Sequence, residues 1–182
     1  MNLRLQLAQI YIPGFIKKKR LEELFYITAD AFNCAIPDTR GSSCKELLKR
    51  YALLTRDAAE KSIQHSKELQ LIKRDLYENA YRLGKRIRKS LCIRNAAEVK
   101  AISRLLYNIM GIDFQWGSES EILIKECYFS RFYSSRVCRV ISSLDEGLLS
   151  GLSEFGKLCF YQRITEGNDC CKAHFTGGEI RV

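Results

Sequence analysis

The chain has 182 residues, enough for one domain with a sizeable core, and its 46% hydrophobic content is that of an ordinary globular protein. Thirty Lys and Arg against 21 Asp and Glu give a net charge of +9, an excess that attracts phosphates, anionic small molecules or anionic surfaces without choosing among them. No apolar run reaches the roughly 18 residues of a spanning helix, and MNLRLQLAQIYIPGF has no small-residue cleavage site after an apolar stretch, so the expectation is a cytoplasmic protein with no membrane span.

The first two thirds read as helices. Ile16, Leu21, Leu24, Phe25, Thr28 and Phe32 fall on one stripe of a first helix, which ends before Pro37 and the loop CAIPDTRGSS. Ser43 caps a second helix, and Glu46 three residues on completes a capping box. Its apolar stripe is Leu47, Leu48, Tyr51, Leu54, Ala58 and Ser62. A third helix carries Leu69, Ile72, Leu76, Leu83, Ile87 and Leu91, with Gly84 as a tolerated weak point. Asn95 caps a fourth, with Val99, Ile102, Leu105, Leu106 and Ile109, and Gly111 ends it.

The periodicity then changes. Residues 112–116 and 121–126 read as strands joined by the turn GSES. A helix starts at Ser134 or Ser135, carries Val137, Cys138, Ile141, Leu144, Leu148 and Leu152, and stops at Gly156. Gly147 and Gly151 lie four apart on it, a spacing that permits close backbone packing. Residues 157–164 and 170–176 form a second hairpin about TEGND, and the tail GGEIRV is expected to fray. The fold class is therefore α+β: a helical layer (1–110) packed on an antiparallel sheet of two β-hairpins separated by a Gly-containing helix (111–182), together one compact domain.

Eight cysteines is a high number for a chain without an export signal, where thiols stay reduced and metal, cluster or catalytic roles gain weight. Cys34, Cys44, Cys92 and Cys159 read as small buried hydrophobes. Cys127 ends a strand, Cys138 lies in the first turn of the following helix, and Cys170 and Cys171 follow the tight turn of the last hairpin. Three thiolates from Cys127, Cys138 and Cys171 would suit an open zinc or iron–sulfur site. A helix amino terminus also favours a thiolate, so Cys138 is a candidate nucleophile. Adjacent strand residues face opposite ways, so only one of Cys170 and Cys171 can face the interior, and His174 lies on the face opposite Cys171. His65 is expected to be exposed.

Asp145 is read in two ways, as a helix-start residue with Ser142 or Ser143, or as a general base beside the sulfurs. Arg163 is either a surface cation or a bidentate clamp for a substrate carboxylate. Tyr128, Phe129, Phe132 and Tyr133 cluster beside Cys127, with Tyr128 and Phe132 as candidate pocket walls. Two basic runs, residues 17–20 and 73–94, offer a nucleic-acid or membrane-surface alternative, although no nucleic-acid-binding signature accompanies them.

The segment CYFSRFYSSRVCRVISSLDEGLLSGL, followed by a strand and GNDCCKAHF, resembles the L-2-amino-thiazoline-4-carboxylic acid hydrolase family over about 50 residues. Cys127, Cys138, Asp145, Gly167 and Cys171 match its pattern; Asp169 stands two residues after Gly167 rather than beside it, and Cys170 is an addition. The resemblance implies ring-opening hydrolysis of a cyclic amidine-like C–N bond to an N-carbamoyl product, with Cys138 or a metal-bound water attacking and Asp145 shuttling protons. The same closing segment is also similar, more loosely, to vinyl-reductase-type and heme-NO-binding-related ligand domains, which implies an internal pocket for a small or apolar ligand. The expectations are thus a small-molecule hydrolase with zinc or an iron–sulfur cluster, or a ligand-binding or sensory module using the same pocket. The expected partners are the small molecule and a second copy of the chain.

Overall fold

The computed structural model describes residues 11–64, 66–154 and 156–177. Four helices come first: α1 (Gly14–Ala31), α2 (Cys44–Gln64), α3 (Ser66–Leu91) and α4 (Ala96–Ile109). Strands β1 (Ile112–Trp116) and β2 (Glu121–Cys127) form the first hairpin, and α5 (Ser135–Ser153) crosses to the second, β3 (Lys157–Gln162) and β4 (Cys171–Thr176). The α+β architecture is the expected one.

Local chemistry sets the helix boundaries. The Ser43 N–H donates to Glu46 Oε2 at 2.8 Å and the Glu46 N–H returns to Ser43 Oγ at 3.3 Å, the reciprocal capping box. Asn95 accepts from the Glu98 N–H at 3.0 Å and Ser134 from the Val137 N–H at 3.3 Å. Gly111 takes φ +68° where α4 turns into β1. One boundary differs from expectation. The left-handed residue after α5 is Glu154 (φ 76°), and Gly156 serves packing instead, because the Phe175 ring fills the place of its missing Cβ.

All strand pairings are antiparallel, in the order β1-β2-β4-β3, so the two hairpins join through β2 and β4 with Ile124 opposite Cys171. One face of the sheet is buried through Phe114, Ile122, Ile124, Leu158, Cys171 and Ala173. The other face carries the exposed Lys125, Lys157, Cys159, Tyr161 and His174. One continuous core runs from Leu21 in α1 to Ala173 in β4 and joins the helical and β-hairpin regions.

The most extensive helix–helix contact is between α3 and α5. Glycines make it: a Cβ on Gly147 would strike the Tyr77 carbonyl, one on Gly151 the Tyr81 carbonyl, and one on Gly84 the Leu148 carbonyl. Arg88 closes the far end, with Nη1 donating to the Leu152 carbonyl at 2.9 Å and Nη2 pairing with Glu154 at 3.1 Å. No helix among the described residues is long and apolar enough to cross a membrane. His65 and most of the GGEIRV tail lie outside the described residues.

Candidate functional site: an apolar cavity with one polar end

The helices and the buried face of the sheet do not close completely. Between them lies a cavity of about 80 Å³. That is several times the roughly 10–15 Å³ one water needs, and about half of the ~150 Å³ that accepts a benzene ring. Leu24 and Ile27 of α1, Tyr51 of α2, Ala80 and Leu83 of α3, Ile112 and Ile124 of the sheet, and Ile141, Leu144 and Leu148 of α5 form its apolar walls. Its polar groups are Cys127, Cys138, Ser142, Asp145, Arg163, Cys171 and the phenols of Tyr51, Tyr107 and Tyr133.

The fold brings Cys127, Cys138, Asp145, Arg163 and Cys171 to this one cavity, from β2, α5, the end of β3 and β4. Alternation along β4 works as expected: Cys171 is buried and His174 is exposed, stacked on Tyr161 at 4.9 Å. Other assignments change. Cys159 lies on the outer face of the sheet and Cys92 ends α3 in a left-handed conformation; both are exposed rather than core. The aromatic walls are Phe129 and Tyr133, not Tyr128 and Phe132. Tyr128 instead covers Gly111 and packs on Phe132 at 5.4 Å. Tyr133 is held in place by a hydrogen bond between its phenol and the Thr55 hydroxyl.

Burial dominates the electrostatics. It pushes the Cys127 thiol up to about 12 and the Cys171 thiol up to about 11. The Ile164 N–H that points at Cys171 Sγ from 3.3 Å only partly opposes this. Cys138 also titrates above its ordinary value because its surroundings are apolar, so the helix amino terminus does not make it a ready thiolate. Among the described residues, no three His, Cys, Asp or Glu side chains converge as a metal site. The three sulfurs share the wall of one cavity.

Asp145 is not a cap. It sits mid-helix in an α5 that runs unbroken from Ser135, with Ser142 bonded back to the Cys138 carbonyl at 2.8 Å. Desolvation raises its carboxyl to about 7 despite a hydrogen bond from the Tyr107 phenol at 2.8 Å and the attraction of Arg163. Of the expected α4 stripe, Val99, Ile102 and Leu106 are buried, whereas Leu105 and Ile109 are only partly so. Ser103, Tyr107 and Met110 complete the buried face at a 3–4 spacing the sequence does contain, and Tyr107 is the functional residue the expected stripe lacks.

Arg163 is not a surface cation. Its side chain is only 13% exposed, and its guanidinium lies 5.0 Å over the Phe160 ring. It stands just beyond β3, where the chain enters a single 3-10 turn (Ile164–Glu166) rather than continuing the strand to residue 164. Glu166 of that turn is taken by Arg139 of α5, which donates to it twice, at 3.0 and 2.8 Å, and ties the start of α5 to the polar end of the cavity.

No protein-family model matches the chain, and no curated protein matches it significantly. Among solved structures, its fold is similar to that of trafficking protein particle complex subunit 3 from Naegleria fowleri, solved covalently bound to palmitic acid. The TM-score is 0.50 at 13% identity, covering 74% of this chain and 98% of that one. At that identity the likeness concerns the fold alone.

Proposed function

We propose that this chain is a binding module for a compact apolar small molecule held in the central cavity. One observation carries the reading: unfilled space enclosed by aliphatic and aromatic side chains, with its polar groups gathered from distant segments. Two others support it. The thiols facing the cavity are kept protonated by burial, which suits a wall better than a nucleophile or a metal ligand. The similar trafficking-complex subunit carries an acyl group, so a related fold is able to hold apolar cargo. A palmitoyl chain is much longer than this cavity, so the expected ligand is smaller, or the walls move to admit more.

The test is to denature freshly purified protein and search the extract for a released small molecule by mass spectrometry, and in parallel to titrate the emptied protein with 1-propanol. Single-site binding that disappears in Ile141→Phe, which fills the cavity from α5, is the expected result. Protein that releases nothing and binds no apolar probe would end the reading.

A second reading, ring-opening hydrolysis, draws on a different observation: Asp145 titrates near 7 and shares the cavity with Cys138, as a proton shuttle and a nucleophile would. Turnover of L-2-amino-thiazoline-4-carboxylate that is lost in both Cys138→Ser and Asp145→Asn would favour it over simple binding.

A further inference from the structure

The buried Arg163 Nε lacks any hydrogen-bond partner among the described residues, and the buried Thr165 hydroxyl, two residues on, has only the Cys138 thiol to face. Arg163 lines the cavity, and the Thr165 hydroxyl acts on the Cys138 thiol of the same wall. Buried polar groups in folded proteins are almost always satisfied, so the unpaired Arg163 Nε asks for an acceptor.

Arg163 is the stronger of the two. A guanidinium offers five N–H donors in a fixed plane, and this one makes no hydrogen bond to any described residue. Its nearest counter-charge, Glu166, stands 4.0 Å away and is already engaged by Arg139. The Phe160 ring faces it, with the guanidinium carbon 5.0 Å from the ring centroid. Asp145 and Glu146 act on it only through space, and Asp145 already has the Tyr107 phenol as its donor. A cation largely removed from water, with its donors unused, is a costly arrangement that an anion of matching geometry would relieve.

We propose that the ligand of this cavity is an apolar monocarboxylate, its head gripped by the Arg163 guanidinium with help from the Thr165 hydroxyl and its hydrocarbon body lying among Ile124, Ile141, Leu144 and Phe160. The proposal rests on the cavity being a ligand site and adds the chemical class of what enters it. A planar carboxylate accepts two parallel N–H bonds from a guanidinium, which a hydroxyl or an ammonium head cannot. The three thiols then border the body of the ligand as soft apolar wall.

Calorimetric titration with three probes that share one short tail, propanoate, 1-propanol and propylammonium, separates the outcomes. The expected order is propanoate tightest, 1-propanol weaker by about 10- to 100-fold, and propylammonium weakest. Arg163→Met should bring propanoate down to the level of 1-propanol while leaving 1-propanol unchanged, and Arg163→Lys should restore part of the difference. If the Arg163 variants do not fold, Thr165→Val gives a second readout, a several-fold loss for propanoate alone. Equal binding of propanoate and 1-propanol by the unaltered chain overturns the carboxylate assignment and leaves the binding module standing. Preference for propylammonium overturns it in favour of the Asp145 and Glu146 side. Binding of none of the three removes both.

Discussion

The two sides of α5 solve opposite problems. Toward α3 the helix offers Gly147 and Gly151, and backbone meets backbone with no room for a single added carbon. Toward the sheet it offers Cys138, Ile141, Ser142 and Asp145, and there the packing stops short and leaves about 80 Å³ empty. Interiors are ordinarily filled to crystal density, and an empty space costs contact energy on every wall. One helix face so tightly fitted and another so loosely fitted, within the same turns, means that the looseness is not a general property of this core. The rigid side fixes α5, and the fixed α5 holds the cavity open.

The sharpest way to break that contrast is to add volume on the tight side. Gly147→Leu places a side chain into the Tyr77 carbonyl and should cost about 5 kcal/mol, enough to lose cooperative unfolding in many domains of this size. Gly14→Ala is the matched control, because its Cβ would meet nothing, and it should shift stability by less than about 0.5 kcal/mol. Chemical denaturation of the three proteins gives the comparison directly. If Gly147→Leu were as stable as the control, the close approach of α3 and α5 would be wrong.

The next effect belongs to the loose side and is read by pH. The Asp145 carboxyl is displaced upward by burial, from an ordinary 3.8 to about 7, so the folded state holds its proton more tightly than the unfolded chain does. Below about pH 4 both states are protonated and the group is neutral in its effect on stability. As pH rises through 4 to 7 the unfolded chain releases the proton and the folded one does not, so stability falls and then levels off above 7. A displacement of about three pH units, at about 1.4 kcal/mol each, sets an upper bound of roughly 4 kcal/mol. Asp145→Asn should flatten this slope. A profile that rises between pH 4 and 7, or one that Asp145→Asn leaves unchanged, would show that Asp145 is not the buried acid described.

Tyr107→Phe is smaller. It removes the hydrogen bond from the phenol to Asp145, at 2.8 Å, while keeping the ring stacked on Phe114 at 4.3 Å. The cost should be about 1–3 kcal/mol when Asp145 is ionised, and less when it is protonated. Measuring the same variant at pH 5 and pH 8 tests that difference. Equal losses at the two pH values would mean that the phenol does not support the carboxylate.

These three positions also mark how far the sequence can be read. The tight side was legible: two glycines four apart on an apolar helix have few other uses, and the caps at Ser43, Asn95 and Ser134 are local chemistry that needs no tertiary context. Cys127, Cys138, Asp145 and Cys171 were found through strand alternation, helix spacing and the family resemblance, and the fold brings them together. What local signals could not supply was burial. Arg163 reads as a surface cation because arginine usually is one, and only the departure of the chain from β3 into a 3-10 turn turns it inward. Cys138 reads as an activated thiol because the helix terminus is visible in sequence, whereas the burial that raises its pKa comes from the tertiary fold around it. Thr165 carries no signal until its buried hydroxyl is seen to face the Cys138 thiol.

The smallest expected effect on stability is the most informative about the contrast. Ile141→Phe adds carbon to α5 just as Gly147→Leu does, but on the side where space exists. A larger side chain in a full core costs about 1–3 kcal/mol, whereas one that fills a void commonly adds about 0.5–2 kcal/mol of stability. The stability of Ile141→Phe should therefore stay within about 1 kcal/mol of the parent, on either side. Its ligand binding should nevertheless be lost. A penalty as large as that of Gly147→Leu would mean that the walls have no slack and the cavity is not usable volume. Unchanged stability with binding intact would mean that the ligand sits elsewhere. Near-neutral stability with binding gone is the one combination that follows from a helix whose tight face holds its loose face open.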